Sequence, residues 1–391
     1  MDVTTFLEAQ LSRYLDDLRA LVSFDCGTHN KAGVDRAGAI MADHLRGLGA
    51  EVEILPQLQH GDCVVGRLRG RGRLRLLLLG HLDTVYPDGT AAERPMRVDG
   101  NRIYGPGVSD MKSGLLTGIY ALRALREVGF DDFEQITFFC NSEEEVGSPV
   151  SRRLYAPIAA DADVALVLES ARADGRIVTQ RKGGGTIHVK VQGRAAHAGV
   201  EPEKGASAVL ELAHLVLLAH RLNGARPGLT VNVGVVRGGT RSNVVAASAE
   251  AAIDVRVVQR EDVEAVWQGL QPEAAHPSVP GTRVILSSRG FTPPMPRSAA
   301  TALLAGLAQA RAQQLGFQVG EAHTGGMSDA NFCAARGTPV LDGLGPVGGD
   351  DHSPGEYLEL DSIVPRTALL AGLIQDIAAH LDELRALRAG G

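Results

Sequence analysis

Apolar residues recur at helical spacing from the start of the chain. Phe6, Leu7, Leu11, Leu15, Leu18, Leu21 and Val22 share one face, which predicts a helix over about 4–23. A second helix is predicted from about Asp35 to Leu48, with Gly49 as its stop. Short β-type runs follow at Val52–Leu55, Cys63–Leu68 and Leu74–Leu79. Next come a helical run over Ser113–Val128, a strand over Gln135–Cys140 and a buried strand over Val164–Leu168. Strands alternating with helices predict an α/β layer fold with a mixed, largely parallel sheet.

The middle of the chain changes character. Alternating strands are expected at Thr186–Val191, Thr230–Val236, Ala249–Val257 and Thr282–Ser287, with helices over Ala206–Leu222 and Glu261–Leu270. The order β-α-β-β-α-β is that of a split βαβ α+β sandwich. The proline-rich stretch Phe291–Pro296 reads as a hinge back to the first domain. A helix over 298–315, a strand near Pro339–Leu341 and a last helix over about 361–387 then resume the first style. Residues 1–180 and 294–391 are therefore expected to form one domain, and residues 181–293 a second domain inserted into it.

Bulk properties narrow the class. A chain of 391 residues that is 44% apolar is long for one core, in keeping with two domains. The formal net charge is −7, and no Lys/Arg cluster offers a footprint for nucleic acid. Arg67, Arg69, Arg71, Arg73 and Arg75 alternate as in a solvated edge or hairpin. Cys26, Cys63, Cys140 and Cys333 form no C-x-x-C pair and read as thiols of a reducing compartment. The N-terminus lacks a basic segment followed by an apolar one, and no apolar run is long enough to span a bilayer. A cytoplasmic protein with no membrane partner is the expectation.

Candidate chemistry collects near strand ends. His81 and Asp83, in Gly80-His-Leu-Asp-Thr-Val85, sit two apart and share a face of an extended end. His81 can bind a metal while Asp83 accepts its other ring N–H. A strand-terminal histidine with a turn aspartate is the ordinary alternative. Asp110, in Gly105-Pro-Gly-Val-Ser-Asp-Met-Lys112, can bridge two metals through its two oxygens, or Ser109 or Asp110 can cap the following helix. Glu143, Glu144 and Glu145 repel one another. Such a run is either a solvated acidic turn or a response to cations, with one glutamate ligating and a neighbour serving as general base. Glu169 ends an apolar strand, where a carboxylate is costly without a partner. His352 follows a glycine-rich loop. Singly, each has a structural explanation. Together, two histidines and three carboxylates with no cysteine match the open N/O coordination of catalytic zinc.

The ordered motifs G-H-L-D-T-V at 80–85, G-x-G-x-S-D-M-K at 105–112, E-E-E-V-G-S at 143–148, G-R-A-A-H-A-G at 193–199, R-S-N-V-V at 241–245, G-G-M-S-D-A at 325–330 and D-H-S at 351–353 resemble the M20 family of zinc metallopeptidases. The glutamate carboxypeptidase branch, whose members cleave folates, is the most similar, and the resemblance runs through the whole chain. It implies a dinuclear zinc hydrolase, with cobalt or manganese as substitutes, that cuts an amide bond beside a free carboxylate. His81 and Glu169 would hold one zinc, Glu145 and His352 the other, with Asp110 bridging and Asp83 supporting His81. Glu144 would be the general base that activates a metal-bridging water. His197, in the inserted lid and dimerisation domain, would reach the active site of a neighbouring subunit in a homodimer and stabilise the oxyanion. Asn243 and Arg256 would face the substrate, and Gly325 and Gly326 would let the backbone approach it closely. Phe291 stands where the folate-cleaving members carry an arginine. Arg289, two residues earlier on the same strand face, is the candidate substitute. An N-acyl-amino-acid or N-succinyl amidohydrolase shares this chemistry, and a catalytically silent dimeric binding protein would share the fold.

Overall fold

The structure is a computed structural model and describes residues 2–288 and 290–389. It divides into two units. One comprises Met1–Gln180, Arg297–His323 and Ser328–Gly391; the other comprises Arg181–Pro296 and Thr324–Met327.

The first unit is an α/β layer structure. Its sheet has the strand order Glu51–Leu55, Cys63–Arg69, Gln135–Asn141, Arg75–His81, Val164–Val167 and Val340–Leu341. The last four run parallel to one another, and the first two pair antiparallel. Arg75–His81 is buried almost throughout because helices cover both faces of a parallel sheet. The helices Val3–Val22, Ser113–Glu127 and Ile363–Ala379 share one apolar core with it, represented by Leu18, Leu115, Leu78 and Leu370. Each such side chain contributes roughly 1.5–3 kcal/mol on burial.

Several expectations shift. The second helix spans Lys31–Gly47, starting earlier than its apolar pattern, because the Asn30 side chain caps it by accepting from the Gly33 amide at 2.9 Å. The run from Arg67 to Arg75 is neither an edge nor a hairpin, since Gln135–Asn141 lies between the two strands it joins. The last helix is two helices, Ile363–Ala379 and Leu381–Ala389, interrupted at His380. The helix Arg152–Asp161 was not expected; Pro157 lies inside it.

A smaller antiparallel sheet orders Gly348–Gly349, Tyr357–Glu359, Arg102–Tyr104 and Arg97–Asp99. Its register pairs Tyr357 with Tyr104, which brings the 350–356 loop beside the 105–110 turn.

The second unit has the predicted β-α-β-β-α-β order: Gly183–Gln192, Ala208–Leu222, Thr230–Gly238, Ser248–Val257, Glu261–Ala275 and Arg283–Ser288. All its pairings are antiparallel, and Thr230–Gly238 is an edge strand. Ser248–Val257 alternates exposed or half-buried with buried residues, so one face packs on the helices and the other faces outward. Ile187, Ile253 and Val255 meet Leu212, Leu215 and Leu270 in this core. Among the described residues no helix is long and apolar enough to cross a membrane.

Candidate metal centre

Parallel pairing carries three ligand-bearing segments to one edge of the main sheet. The register sets His81 opposite Asn141 and Leu79 opposite Val167. His81 therefore ends one strand, Glu143–Glu145 follow the next, and Glu169 follows the third. The carboxyl edge of such a sheet is where open α/β folds bind ligands. Gly114 lets the following helix approach this edge: a Cβ there would lie 1.8 Å from the Leu168 carbonyl oxygen.

The five sequence-nominated ligands form two groups that share one member. His81, Asp110 and Glu169 offer donor atoms within 4.8 Å of one another, as do Asp110, Glu145 and His352. His81 Nε2 lies 3.0 Å from Asp110 Oδ1 and 3.8 Å from Glu169 Oε1. His352 Nε2 lies 3.0 Å from Asp110 Oδ2 and 3.2 Å from Glu145 Oε2. The two oxygens of Asp110 thus face different histidines. The Asp110–Met111 peptide is cis. His352 has a φ of 62°, in the left-handed region that a non-glycine residue enters only when its surroundings impose it.

Asp83 is fully buried and organises the acidic turn that follows Gln135–Asn141. Its carboxylate accepts from the Thr28 hydroxyl at 2.7 Å and from the amides of Glu144 and Glu145 at 3.1 and 3.3 Å. Its contact with His81 differs in detail from expectation. His81 Nδ1 is 3.0 Å from the main-chain oxygen of Asp83 and 3.4 Å from its Oδ1, so the carbonyl is the nearer acceptor. The carboxylate is instead engaged by the amides of the acidic turn.

The three adjacent glutamates face different partners. Glu143 is fully buried and accepts from the amides of Val150 and Ser151, with His60 Nε2 3.4 Å away. Glu145 meets His352. Glu144 is half-buried; burial raises its pKa well above the carboxylate range, Glu169, Asp329 and Glu145 add to the rise, and His81 opposes it. Burial also raises Glu145, against the His352 hydrogen bond. Asp110 goes the other way: despite burial, His352 and His81 hold it well below the usual range. Its hydrogen bonds to Asp110 and Glu145 push His352 up to about 11. Burial opposes the charged form of His81, yet Asp110 and Asp83 carry its pKa well above the usual histidine value.

Two supporting carboxylates were not singled out from sequence. Glu356, 1% exposed, accepts from the amides of Gly107, Ser109 and Asp110 at 2.9, 2.8 and 3.0 Å and from the Tyr86 hydroxyl at 2.7 Å. It ties the loop bearing His352 to the turn bearing Asp110. Asp329, within the S-D-A motif, accepts from Asn141, Ser148 and Tyr155, the last at 2.7 Å, and so braces both ends of the acidic turn. The available signal was an acidic residue four positions after His352, and an aspartate beside the glycine pair.

The remaining candidates lie in the second unit. His197 is exposed, and its Nδ1 accepts from the Gly199 amide at 3.2 Å. Its strand-like loop pairs with that of Asn243: His197 bridges Val244, and the Ala198 amide donates to the Asn243 carbonyl at 3.0 Å. Arg256 donates to Asp254 at 2.9 Å while staying 30% exposed, so its ion pair leaves part of the guanidinium open. Gly325 and Gly326 are exposed, and Arg181 donates to the Gly326 carbonyl at 3.2 Å. Arg289 lies outside the described residues.

Imidazole and carboxylate donors, with one carboxylate shared, fit a pair of divalent cations; hard and borderline donors without thiolate suit an open catalytic site. The crowding of Asp83, Asp110, Glu144, Glu145 and Glu169 is the electrostatic counterpart of that fit.

With fold and site in view, the sequence profile of peptidase family M20/M25/M40 matches residues 77–376, and the chain belongs to that family of hydrolases. Carboxypeptidase G2 of Pseudomonas sp. (strain RS-16) is 35% identical over 93% of this chain and 88% of its own length. N-acetyl-L-citrulline deacetylase of Xanthomonas campestris pv. campestris is 32% identical over 68% of this chain and 73% of its own. Among solved structures, aminopeptidase PepT of Bacillus cereus superposes with a TM-score of 0.78 at 23% identity, covering 94% of this chain and 99% of that one. The chain is thus an M20 metallopeptidase or amidohydrolase, related to carboxypeptidases and deacetylases.

Proposed function

We propose that the chain is a dinuclear zinc hydrolase that cleaves an amide bond next to a free carboxylate, in the manner of a carboxypeptidase. The observation that carries this reading is Asp110, shared by two ligand groups, with Glu144 next to the ligand Glu145. His81 and Glu169 would hold one cation, Glu145 and His352 the other, and Asp110 both. When bound, the cations polarise the scissile carbonyl and acidify the attacking water. Glu144 would take a proton from the attacking water and deliver it to the leaving amine. Asp83 holds the backbone of Glu144 and Glu145 in place through their amides. Asn243 and the open side of Arg256 receive the substrate carboxylate, for which a guanidinium fork is well shaped. Gly325 and Gly326 leave room for the substrate backbone.

The inserted unit would act as lid and dimerisation element. Its edge strand exposes Val235 and Val236, and the neighbouring helix exposes Val209, Leu210 and Leu217. Between strand and helix lies a groove of about 590 Å³ lined by Val209, Leu212, Val216, Leu217 and Val236. An open apolar edge strand invites pairing. A second copy of this chain is the occupant we assign, and His197 would serve the partner's site as oxyanion donor.

A deacylase reading is favoured by the N-acetyl-L-citrulline deacetylase and the acetylornithine deacetylase of Edwardsiella ictaluri among the relatives. One assay tests both. Purified protein is offered N-acyl amino acids, glutamate-terminated amides and dipeptides after chelation and again with zinc, alongside elemental analysis. Cleavage abolished by chelation and restored by zinc is expected, at about two zinc per chain. Turnover indifferent to chelation would sink the metal reading, and the preferred substrate separates carboxypeptidase from deacylase.

A further inference from the structure

The connection 56–62 joins the edge strand Glu51–Leu55 to Cys63–Arg69 and turns two polar side chains inward. Gln57 and His60 are 8% and 9% exposed, whereas Leu58 between them is fully exposed. A buried amide or imidazole is costly unless it is hydrogen-bonded. Both are directed at the two residues that precede Glu144. Gln57 Nε2 donates to the Ser142 hydroxyl at 2.9 Å and to Cys63 Sγ at 3.0 Å. His60 Nε2 lies 3.4 Å from Glu143 Oε2.

Glu143 depends on that neighbour. Its Oε1 accepts from the Val150 and Ser151 amides, while its Oε2 is buried and meets no other donor among the described residues. A carboxylate oxygen taken out of water without a donor is strongly disfavoured. The other ring nitrogen of His60, Nδ1, lies 3.4 Å from the Thr28 carbonyl oxygen. A carboxylate and a carbonyl can only accept, so the ring acts as donor.

His60 stands on a fixed base. Asp62 closes the connection on itself: its carboxylate accepts from the Gln57 amide at 3.0 Å. The Asp62 amide donates to Asp35 Oδ1, in the helix Lys31–Gly47, at 2.7 Å. Thr28, whose carbonyl faces His60, also donates its hydroxyl to Asp83. The acidic turn is thus gripped from two sides that meet at Thr28. Asp83 holds the amides of Glu144 and Glu145, and His60 faces the carboxylate of Glu143. Glu144 sits between the two grips. A misplacement of about 1 Å in a reacting group can cost on the order of 10²-fold in rate.

We propose that His60 is a positioning residue: through Glu143 it fixes the direction in which Glu144 presents its carboxylate, without touching metal or substrate. The inference rests on the general-base reading of Glu144 and adds to it a residue outside the ligand set.

The test compares zinc-loaded wild type, His60→Ala and His60→Gln, whose side-chain amide keeps a donor for Glu143. Amide hydrogen exchange is followed by mass spectrometry, alongside kcat, KM and zinc content. In His60→Ala, exchange over 142–151 should quicken about tenfold and stay unchanged elsewhere, the scale of one lost hydrogen bond to a charged group. Its kcat should fall about tenfold while KM stays within about twofold and zinc content holds. His60→Gln should recover most of both effects. Exchange over 142–151 that ignores His60→Ala would overturn the proposal. So would exchange quickened throughout the chain, a loss carried by KM or zinc content, or a His60→Gln variant no better than His60→Ala. Local quickening that His60→Gln reverses, together with no turnover of any amide by wild type, would uphold the grip of His60 on the turn while refuting the general-base reading.

Discussion

His81 and His197 are both histidines assigned to the chemistry, in contrasting surroundings. His81 is 1% exposed, ends a buried strand and meets Asp83, Asp110 and Glu169. His197 is exposed on a loop whose contacts are with its own backbone and the Val244 strand. A group enclosed by charges of the same unit can be read from that unit alone. A group displayed to the outside acquires a role only from what arrives, be it substrate or a second chain. The first unit therefore resembles a finished coordination site, and the second a set of hands held open.

The comparison can be broken at its strongest point first. Glu144→Gln removes the proposed proton carrier while keeping size, and Asp83 still holds the turn through backbone amides. Turnover should fall on the order of 10³-fold at unchanged metal content. Near-normal kcat with both metals present would strip Glu144 of its role. His197→Ala should lower kcat on the order of 10²-fold, the scale of a lost oxyanion donor. Its thermal midpoint should hardly move, because the side chain is exposed. A midpoint that drops while kcat holds would make His197 a structural residue and erase the contrast.

The smallest expected effect tests the enclosure itself. Glu356→Gln keeps one oxygen but turns an amide NH₂ toward donors, leaving at least one of the Gly107, Ser109 and Asp110 amides unmatched. An unsatisfied buried donor costs about 1–3 kcal/mol. Thermal unfolding should show that loss, and the metal content should fall with it because Asp110 rides on the same turn. Stability and metal content both at wild-type levels would mean that the loop is held by other contacts.

How much of this was legible in the chain follows from distance along it. His81, the Glu143–Glu145 run and Glu169 sit at or just past apolar runs, so hydrophobic pattern alone brought them to strand ends, and parallel pairing is the default for alternating strands and helices. The β-α-β-β-α-β order of the second unit showed in its period-two alternation. Glu356 escaped because its partners are about 250 residues earlier in the chain and, apart from the Tyr86 hydroxyl, are main-chain amides, which carry no side-chain signature. Asp329 escaped through distance alone, its side-chain partners Asn141 and Ser148 lying nearly two hundred residues earlier. The reading of Arg67–Arg75 as an edge or hairpin missed because local alternation says nothing about a third strand inserting between two neighbours. The single last helix missed because Leu381 and Leu384 continue the apolar stripe past the break at His380.

The register that sets His81 opposite Asn141 turns strand length into a ruler. Side chains alternate along a strand, so a one-residue deletion within Arg75–His81 or Gln135–Asn141 would swing the terminal ligand to the opposite face and shorten its reach together. The exposed connection at 223–228 carries no candidate ligand and is under no such ruler. Length variation among descendants of this sequence should accordingly collect in such turns and spare those two strands. A gap placed inside either strand would mark a chain that has lost part of the proposed ligand set.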